Sequence, residues 1–553
     1  MAYVPTIEGI PVLILKETTT RERGKRALSA NIAAVKAIAE IVRTTLGPRG
    51  MNKLLVDSLG DIVITNDGAT ILDELDVAHP AAKLVVQAAK SLDKEAGDGT
   101  TSVSILIAEL LDEAFKLVEK GIHPSVIASA YKKALDEAIR YMKEKLAKKI
   151  DIKKDQEFLK RVAISSLNSK LPEEAREYFA ELALKAAELA YDHERNYLDP
   201  DLISIIQKEG KSLLDSQVIA GVVLDKKVVH PEMPKIKRNA RIALINQNIE
   251  IEKADVTSNI TLDSLEALAK LKEKEKEQIE KMVKKLVNLK VDVVFCQRGI
   301  SDIAQDVMAK SGIMAARRVR RADMLLLQRA TGAKIVNNIE DLSEEDIGFA
   351  GLVEEKKVGE DHMIFVTECK NPRAATILLR GATKHITDEA ERAIKDAIGV
   401  LKDVLEDKLI VPGGGATEAA LYMHLMEWAD KAEGLTGKER EAVKAFARAL
   451  LIVPKTLIEN AGEDILEVTA ELLKANANEP GKWCFDASKI KVVKIDEANF
   501  WDPWRVKRGV LATATEAAIT ILRIDDVIAS KPREEKEKKK GKEEFGEETP
   551  KFS

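Results

Sequence analysis

Three stretches with different residue patterns follow one another along the chain, and their order limits the folds open to it. Residues 27–148 carry apolar side chains at helical spacing, which predicts a mostly helical first quarter. β-branched runs at 218–224 and 240–245 then alternate with helical patterns, which predicts a mixed α/β region. Helices return over 385–473. Since 553 residues exceed one hydrophobic core, we expect several domains, with the helical ends packed together and the mixed region inserted between them.

Composition argues against several other classes of protein. The net charge is −5 and basic residues alternate with acidic ones, so no basic domain points to nucleic acid. Cys296, Cys369 and Cys484 are far apart and are not spaced for zinc or for a disulfide framework, so we expect buried thiols in a reducing compartment. No uncharged run is long enough to span a bilayer, and the first residues lack the basic start and cleavage site of a signal peptide. We therefore predict a cytoplasmic protein.

A phosphate-binding pattern begins at Gly97, where the chain reads G-D-G-T-T ahead of a helix predicted over 102–118. Glycines let the backbone approach an anion closely, and the threonines offer hydroxyl and N–H groups at the positive end of the helix. Phosphate would repel Asp98, in the middle of the run, unless a divalent cation lay between them. The loop therefore predicts a nucleotide that is bound together with Mg²⁺.

Three further glycine-bearing loops, 46–50, 66–68 and 413–415, are predicted at helix ends. The chain contains neither G-x-x-x-x-G-K-[ST] nor G-x-G-x-x-G, so a phosphate site must be built in another way. Hydrolysis of a phosphoanhydride needs a positioned water and metal-bridged phosphates. Asp67 and Asp98 can supply two carboxylates if these loops converge, and the residues alone do not say which of the 92 acidic side chains supplies a third.

A long helix rich in lysine and glutamate is predicted over 262–289, inside the mixed region. Its apolar residues form a narrow stripe, which fits either an ordinary surface helix or an exposed arm that docks on a neighbour. The stripe consists of Leu265, Leu268, Ile279, Met282, Val283, Leu286 and Leu289.

The loops together resemble the nucleotide-site signatures of the group II chaperonins, the family of archaeal thermosome subunits and their eukaryotic cytosolic counterparts. The similar segments are 46–51, 65–72, 97–102, 411–415, 514–518 and 523–526. They stand in the order that the family has, and the resemblance covers the chain from about Pro11 to Ser530. It is closest to the thermosome type.

The resemblance implies a multidomain α and α/β fold, the chaperonin fold. A mainly helical equatorial domain would bind ATP, and a small α/β intermediate domain would act as a hinge. An α/β apical domain would bind substrate and carry a helical protrusion, matched by the long helix, as a built-in lid. The implied bounds are 1–148 and 406–530 (equatorial), 149–213 and 370–405 (intermediate), and 214–369 (apical, protrusion about 255–290), and the composition of the charged tail at 531–553 predicts disorder.

Residue roles also follow from the resemblance, by position. It implies that Asp98 binds Mg²⁺ and that Asp67 lies near the γ-phosphate and its attacking water. It further implies that Asp396 swings in as the third carboxylate and that Lys170 senses the γ-phosphate. The implied ATP- or ADP-binding residues are Leu46, Gly47, Pro48, Asp98, Gly99, Thr100, Thr101, Ser102, Asn168, Ser169, Gly414, Gly415 and Asp502.

The implied function is that of an ATP-hydrolysing chaperone subunit. Homologous or identical subunits would form stacked rings that close over unfolded or partly folded client proteins, without nucleic acid or membrane partners. Residues 483–488 and 500–504 depart from the family pattern around the base pocket, so a structural or regulatory ring subunit with weak ATPase activity is the alternative. A small-molecule phosphotransferase is a third hypothesis. Ile303, Val307 and Met308 are either client contacts or ordinary core residues.

Overall fold

The computed structural model describes residues 6–7, 10–11, 19–56, 60, 62–152, 154–168, 170–250, 265–370 and 372–530. Three sequence predictions fall outside these ranges. They are the disordered tail at 531–553, the nucleotide contact at Ser169 and the first part of the protrusion, 255–264.

Helices dominate the described residues at both ends of the chain. A π-helical turn, Met142–Leu146, directly follows the fifth α-helix. The α-helices are α1 (Lys25–Arg43), α2 (Gly68–Glu74), α3 (Pro80–Ala96), α4 (Thr100–Glu119), α5 (Pro124–Tyr141), α6 (Gln156–Leu167), α7 (Glu173–Ala190), α8 (Leu265–Asn288), α9 (Asp302–Lys310), α10 (Arg321–Thr331), α11 (Lys384–Asp407), α12 (Ala416–Lys431), α13 (Gly437–Leu450), α14 (Ile452–Ala461), α15 (Ile465–Asn478), α16 (Ile495–Ala498) and α17 (Trp504–Leu522).

Strands are concentrated in the middle of the chain, with short pairs elsewhere. They are β1 (Thr6–Ile7), β2 (Ile10–Pro11), β3 (Thr19–Arg23), β4 (Lys53–Val56), β5 (Ile62–Thr65), β6 (Lys148–Lys149), β7 (Tyr191–Asp192), β8 (Tyr197–Leu198), β9 (Ile203–Glu209), β10 (Gln217–Leu224), β11 (Ile236–Ile245), β12 (Val293–Cys296), β13 (Met314–Ala316), β14 (Ile335–Val336), β15 (Gly348–Val358), β16 (Asp361–Thr367), β17 (Ala375–Gly381), β18 (Leu409–Pro412), β19 (Trp483–Asp486), β20 (Lys491–Lys494), β21 (Trp501–Pro503) and β22 (Asp526–Ser530).

A nine-stranded mixed sheet forms the centre of the middle region. Its strand order is β13-β12-β11-β15-β16-β10-β17-β9, and β14 also pairs with β11. Strands β11, β12 and β13 run parallel, as do β17 and β9, whereas the pairs between β11 and β17 are antiparallel. The runs at 218–224 and 240–245 lie in β10 and β11, so the predicted mixed α/β region is confirmed.

Both ends of the chain share the first of three large hydrophobic cores. Helix α4 lies at its centre, packed against α1, α3, α13 and α17, because its apolar residues surround its axis on all sides. Tyr131 of α5 meets the ring of Phe446 edge-on with the centroids 5.4 Å apart, and its hydroxyl donates to the Leu110 carbonyl at 2.9 Å. The two helical ends are therefore packed against each other.

The second and third cores belong to the middle of the chain. The second lies between the nine-stranded sheet and helices α8 to α10. The third is formed by α6, α7 and α11 with strands β9 and β17, and it also takes in Ile410, Cys484 and Trp501. Helix α11 thus belongs to the third core, and it also contacts α17 and α3 of the first.

The helical pattern that was predicted up to residue 148 ends earlier in the structure. Helix α5 ends at Tyr141, and after the π-helical turn the chain enters β6. The reason is tertiary pairing, since Lys148 lies opposite Ile410 in an antiparallel ladder with β18. Sequence periodicity cannot detect such a pairing, because the partner strand is far away in the chain.

Two expectations about exposed apolar residues are corrected. Ile279, Val283 and Leu286 of the α8 stripe are buried in the second core, so this half of the helix is not a free arm. Met308 is fully buried, which makes its interpretation as a client contact wrong. Ile303, by contrast, is 39% exposed.

The three cysteines are buried free thiols, as predicted. Burial raises the pKa of Cys296 and Cys369 to about 11, so both stay protonated at neutral pH. None of the described helices combines the length and the apolar character that crossing a membrane requires.

Candidate functional site

The G-D-G-T-T loop joins the end of α3 to the start of α4. Gly97 caps α3 with φ 64° and Gly99 precedes α4 with φ 94°, a backbone region that favours glycine. Between them, the Asp98 carboxylate accepts a hydrogen bond from the Gly99 N–H at 2.6 Å. The loop therefore holds a carboxylate at the positive end of a long buried helix.

A second loop, ahead of α2, touches the first. The Asp67 carboxylate caps α2 by accepting from the Thr70 N–H at 2.9 Å and the Thr70 hydroxyl at 2.7 Å. A Cβ at Gly68 would lie only 2.5 Å from Thr101 Oγ1, so only glycine lets the two loops approach this closely. The predicted convergence of Asp67 and Asp98 loops is therefore present in the structure.

The loops after α1 and α6 complete a polar cleft at this place. Thr45 Oγ1 lies 3.5 Å from Thr101 Oγ1, and Lys170 reaches in from the segment after α6. The cleft is lined by Thr45, Leu46, Gly47, Asn66, Asp67, Gly68, Asp98, Gly99, Thr100, Thr101, Ser102 and Lys170.

A wider cavity continues from this cleft. It brings in the remaining predicted contacts among the described residues, which are Pro48, Asn168, Gly414, Gly415 and Asp502. Asp396 lines an adjoining recess together with Asp67. The structure thus gathers the predicted site residues in one region, and Ser169 alone among them lies outside the described residues.

Lys170 connects two acidic groups that come from different cores. Its ammonium group contacts the carboxylate of Asp396, on α11, and lies 3.8 Å from Asp67 Oδ1. The side chains are largely buried, with 8% of Lys170, 13% of Asp67 and 19% of Asp396 exposed. A desolvated ion pair of this kind depends on each member, because removal of one leaves an unpaired buried charge.

The carboxylates of the site differ in their electrostatics. Burial alone would raise the pKa of Asp67, but the Lys170 charge and the hydrogen bonds from Thr70 outweigh it and lower the pKa. Burial raises the pKa of Asp98, and Lys170 offsets this only in part. The surroundings therefore favour the ionised form of Asp67 and disfavour that of Asp98, which a further cation would stabilise.

Asp93, on α3, is an additional acid that lines the recess with Asp67 and Asp396. Burial, then the negative charge of Asp67, raises its pKa from 3.8 to about 6, with Lys170 opposing and Asp98 adding to the rise. Between pH 3.8 and about 6, Asp93 is therefore more protonated in the folded state than in the unfolded chain. The free energy of unfolding falls as the pH rises through this range.

Replacing Asp93 with asparagine is expected to remove that pH dependence. Asp93→Asn should melt at a higher temperature than the wild type at pH 7, and the difference should shrink as the pH falls towards 4. Thermal unfolding followed by circular dichroism from pH 4 to 8 measures the effect. Parallel melting curves for both proteins across this range would contradict it.

The opposite wall of the cavity surrounds the loop between β18 and α12. Gly414 and Gly415 have φ of 58° and 81°, and a Cβ at Gly414 would meet Cys484 Cβ at 3.0 Å. A Cβ at Gly413 would lie 3.1 Å from Asp502 Oδ2, so this loop runs beside the Asp502 carboxylate. The wall facing it is apolar, and its residues include Val453, Leu457, Phe485, Phe500, Val506 and Val510.

The two segments that depart from the family pattern contribute only in part to the cavity. Phe485, Ala487, Phe500 and Asp502 line it. Trp501 is 5% exposed and packs in the third core instead. Much of the side-chain volume of these two segments therefore lies outside the cavity.

Sequence reasoning missed Glu418 and Lys507, which also line the cavity. Glu418 stands three residues after Gly415, in the first turn of α12, and Lys507 stands one turn into α17, after Asp502. A charged side chain within the first turn after a predicted binding loop is the signal that could have identified both.

The fold and the site define a class of proteins with several hydrophobic cores, two of which contribute side chains to one glycine-rich polar cleft. The comparison of sequences gives the family. This chain belongs to the TCP-1/cpn60 chaperonin family, whose family model matches residues 38–532.

Similar proteins are known in several archaea. The chain is 48% identical to a thermosome subunit of Pyrococcus horikoshii over 538 residues, which cover 97% of each protein. It is 49% identical to the thermosome subunit beta of Aeropyrum pernix, over 94% of this chain and 95% of that protein. With the thermosome subunit beta of Thermococcus kodakarensis it shares 48% identity, over 98% of this chain and 99% of that protein.

Proposed function

We propose that this chain is an ATP-hydrolysing subunit of a molecular chaperone that encloses non-native proteins in stacked rings. The observation that carries the proposal is the meeting of Asp396 with Lys170 and Asp67 beside the phosphate-type cleft. Asp396 lies on helix α11, which belongs to the third core. ATP bound in the cleft would therefore contact a second part of the molecule. Similarity to thermosome subunits over nearly the whole chain supports the same function.

The residues present fit a magnesium nucleotide. Asp98 is buried, and burial raises its pKa and so disfavours its ionised form. A cation bound beside the carboxylate would favour the ionised form. When bound there, Mg²⁺ would neutralise phosphate charge. Thr100, Thr101 and Ser102 offer N–H and hydroxyl groups at the start of α4, where phosphate oxygens are favoured.

Asp396 and Lys170 would supply the hydrolytic chemistry. Asp396 orients a water and accepts its proton while the water oxygen forms a bond to the γ-phosphorus. The bond between that phosphorus and the bridging oxygen breaks, and its electron pair leaves with ADP. Lys170 would exchange its contact with Asp396 for an oxygen of the γ-phosphate, which couples phosphate binding to the position of α11.

The three hydrophobic cores support a division into three domains. We propose an equatorial domain of residues 1–148 and 406–530, an intermediate domain of 149–213 and 370–405, and an apical domain of 214–369. The first core corresponds broadly to the equatorial domain, the second core to the apical domain and the third core to the intermediate domain. Closure would then be a rotation of the domain that carries α11, biased by the γ-phosphate.

The alternative is a structural or regulatory ring subunit with weak ATPase activity. The geometry of Asp67, Asp98, Lys170 and Asp396 favours the active subunit, since all four lie in or beside one cleft. Cytoplasmic location stays a prediction from composition, and stacked rings of homologous or identical subunits with non-native client proteins stay a prediction from the resemblance.

The test is steady-state ATP hydrolysis by the purified chain, together with its mass in solution. We expect a large ring assembly whose hydrolysis needs Mg²⁺. A ring of the same mass that binds ATP but does not hydrolyse it would favour the regulatory alternative. A monomer without turnover would overturn the proposal.

A close backbone contact between α11 and the phosphate loop gives a further prediction. A Cβ at Gly399 would lie 3.1 Å from the Gly97 Cα, so valine there should push α11 away from the loop. Because a misplacement of about 1 Å can cost about 100-fold, we expect Gly399→Val to lower kcat by roughly that factor. Gly437→Val is the matched control, since a Cβ at Gly437 meets nothing within 4 Å. Equal kcat in both variants would refute the role of this contact.

A further inference from the structure

A cluster of charged side chains joins the end of α11 to the start of α17. Arg505, in the first turn of α17, donates to both carboxylate oxygens of Asp407, at 2.6 and 2.9 Å. It also donates to Glu406 Oε2 at 2.7 Å and to Asp403 Oδ1 at 3.2 Å. The three carboxylates stand at the C-terminal end of α11, so one arginine links a helix of the third core to a helix of the first.

The cluster is largely shielded from water and carries more negative than positive charge. Only 1% of the Asp403 side chain, 15% of Glu406 and 22% of Arg505 are exposed. Within the described ranges, Asp403 Oδ2 and Glu406 Oε1 are buried without a hydrogen-bond partner. Burial raises the pKa of Asp403 from 3.8 to about 7, although the Arg505 charge opposes the rise. Arg505 therefore balances carboxylates that water cannot reach.

The side of α11 that bears this cluster also bears Asp396. Asp396 and Asp403 are seven residues apart, which corresponds to two helical turns and about 10 Å along the axis. Gly399 lies between them, and a Cβ there would be 3.1 Å from the Cα of Gly97. From Asp396 to Asp403, this side of α11 therefore faces the G-D-G-T-T loop and α17.

Helix α17 is itself packed against that loop. Val506 and Val510 line the cavity, and a Cβ at Gly99 would lie 2.8 Å from Val510 Cγ2 and 3.3 Å from Val506 Cγ1. Arg505 thus ties α11 to a helix that is fixed beside Asp98. Because its planar fork binds both oxygens of one carboxylate, the arginine fixes the direction of α11 as well as its distance.

We propose that Arg505 is a positioning residue that sets the place of Asp396 by holding the end of α11 against α17. Three carboxylates around one turn of α11 give Arg505 a partner in more than one position of that helix, so the link can persist when α11 moves towards a bound nucleotide. This inference rests on the proposed function, because the action of Asp396 on water belongs to that function.

The experiment measures kcat and KM for Mg²⁺–ATP with the full-length assembly. Arg505→Met should lower kcat by about 100-fold, as a misplacement of about 1 Å can, and should leave KM within about threefold. Arg505→Lys keeps the charge but loses the planar fork, so its kcat should fall by about tenfold.

A matched control lies one turn further along α17. Arg508 lies over the ring of Trp504 and 3.6 Å from Glu95, away from the cluster. Arg508→Met should therefore keep kcat within about twofold of the wild-type value.

A variant with neutral partners separates positioning from charge balance. Arg505→Met combined with Asp403→Asn and Glu406→Gln leaves only the more exposed Asp407 charged, so it should assemble even if Arg505→Met alone does not. Its kcat should stay about 100-fold low, because the link to α11 is still missing.

Arg505 is expected to act only through Asp396. In the Asp396→Ala background, adding Arg505→Met should therefore change the single-turnover rate by no more than about twofold. A structural defect elsewhere would instead lower the rate by the same factor in both backgrounds.

Three results would overturn the inference and leave the proposed function intact. One is a normal kcat in Arg505→Met. Another is wild-type kcat in the variant with neutral partners, since charge balance would then be the whole role of Arg505. The third is full additivity with Asp396→Ala. A wild type that hydrolyses no ATP contradicts the proposed function itself.

Discussion

Asp396→Ala is expected to lower kcat for ATP hydrolysis by about 100- to 10,000-fold, the range that a positioned general base contributes. The dissociation constant for ATP should stay within a few-fold of the wild-type value. The reason lies in the ion pair, because Asp396 contacts Lys170 and the released lysine is free to bind the γ-phosphate. Single-turnover hydrolysis and fluorescent-nucleotide titration separate the two quantities.

The control for this variant stands on the same helix. Asp388 lies about two turns before Asp396 on α11, and it is partly exposed. Asp388→Ala should leave kcat unchanged within about twofold, as expected for a surface position. A weak ATP affinity with normal kcat in Asp396→Ala would show that Asp396 binds nucleotide and does not act on water.

Asp98→Asn should stabilise the protein without nucleotide and abolish its response to Mg²⁺ and ATP. Asparagine keeps an oxygen for the Gly99 N–H but removes a charge that burial disfavours. Since a raised pKa means that ionised Asp98 costs stability above its usual titration range, the variant should melt at a higher temperature at pH 7. Loss of a direct metal ligand should weaken Mg²⁺–ATP binding by at least about 100-fold, because outer partners alone cost 10–100-fold.

Asp112, on the helix α4 that follows the Asp98 loop, supplies a control of opposite sign. Burial alone would raise its pKa, but Lys36 and Lys116 outweigh this and lower the pKa, so Asp112 stabilises the fold as an anion. Asp112→Asn should therefore melt slightly lower and bind Mg²⁺–ATP normally. If Asp98→Asn also melts lower and still binds the magnesium nucleotide, Asp98 is a structural residue and not a metal ligand.

The position and shape of the G-D-G-T-T loop could be predicted from the sequence because their determinants are local. Gly97 and Gly99 are needed for positive φ at two helix ends, and Asp98 lies between them, so the pattern implies the shape. The buried helix that follows was predicted over 102–118 and spans Thr100–Glu119. Local backbone rules and hydrophobic periodicity are sufficient at such places.

Features that depend on distant partners could not be predicted in this way. Physical reasoning alone did not single out Asp396 among the acidic residues; only the family resemblance did, since its partner Lys170 is 226 positions away. The pairing of Glu418 with Lys507 was missed for the same reason, because 89 positions separate them, although each residue closely follows a predicted binding residue. Likewise, the sequence left Met308 open between a client contact and a core residue, and only the packing of the second core decides for the core.

We propose that ATP turnover by this chain drives the folding of enclosed proteins. The most direct measurement of this claim is the fraction of a chemically denatured reporter enzyme that regains activity when diluted into the assembled chain with Mg²⁺ and either ATP or ADP. We predict capture without recovery in ADP, recovery in ATP, and no recovery in ATP with Asp396→Ala. Equal recovery in ATP and ADP, or full recovery with Asp396→Ala, would contradict the claim.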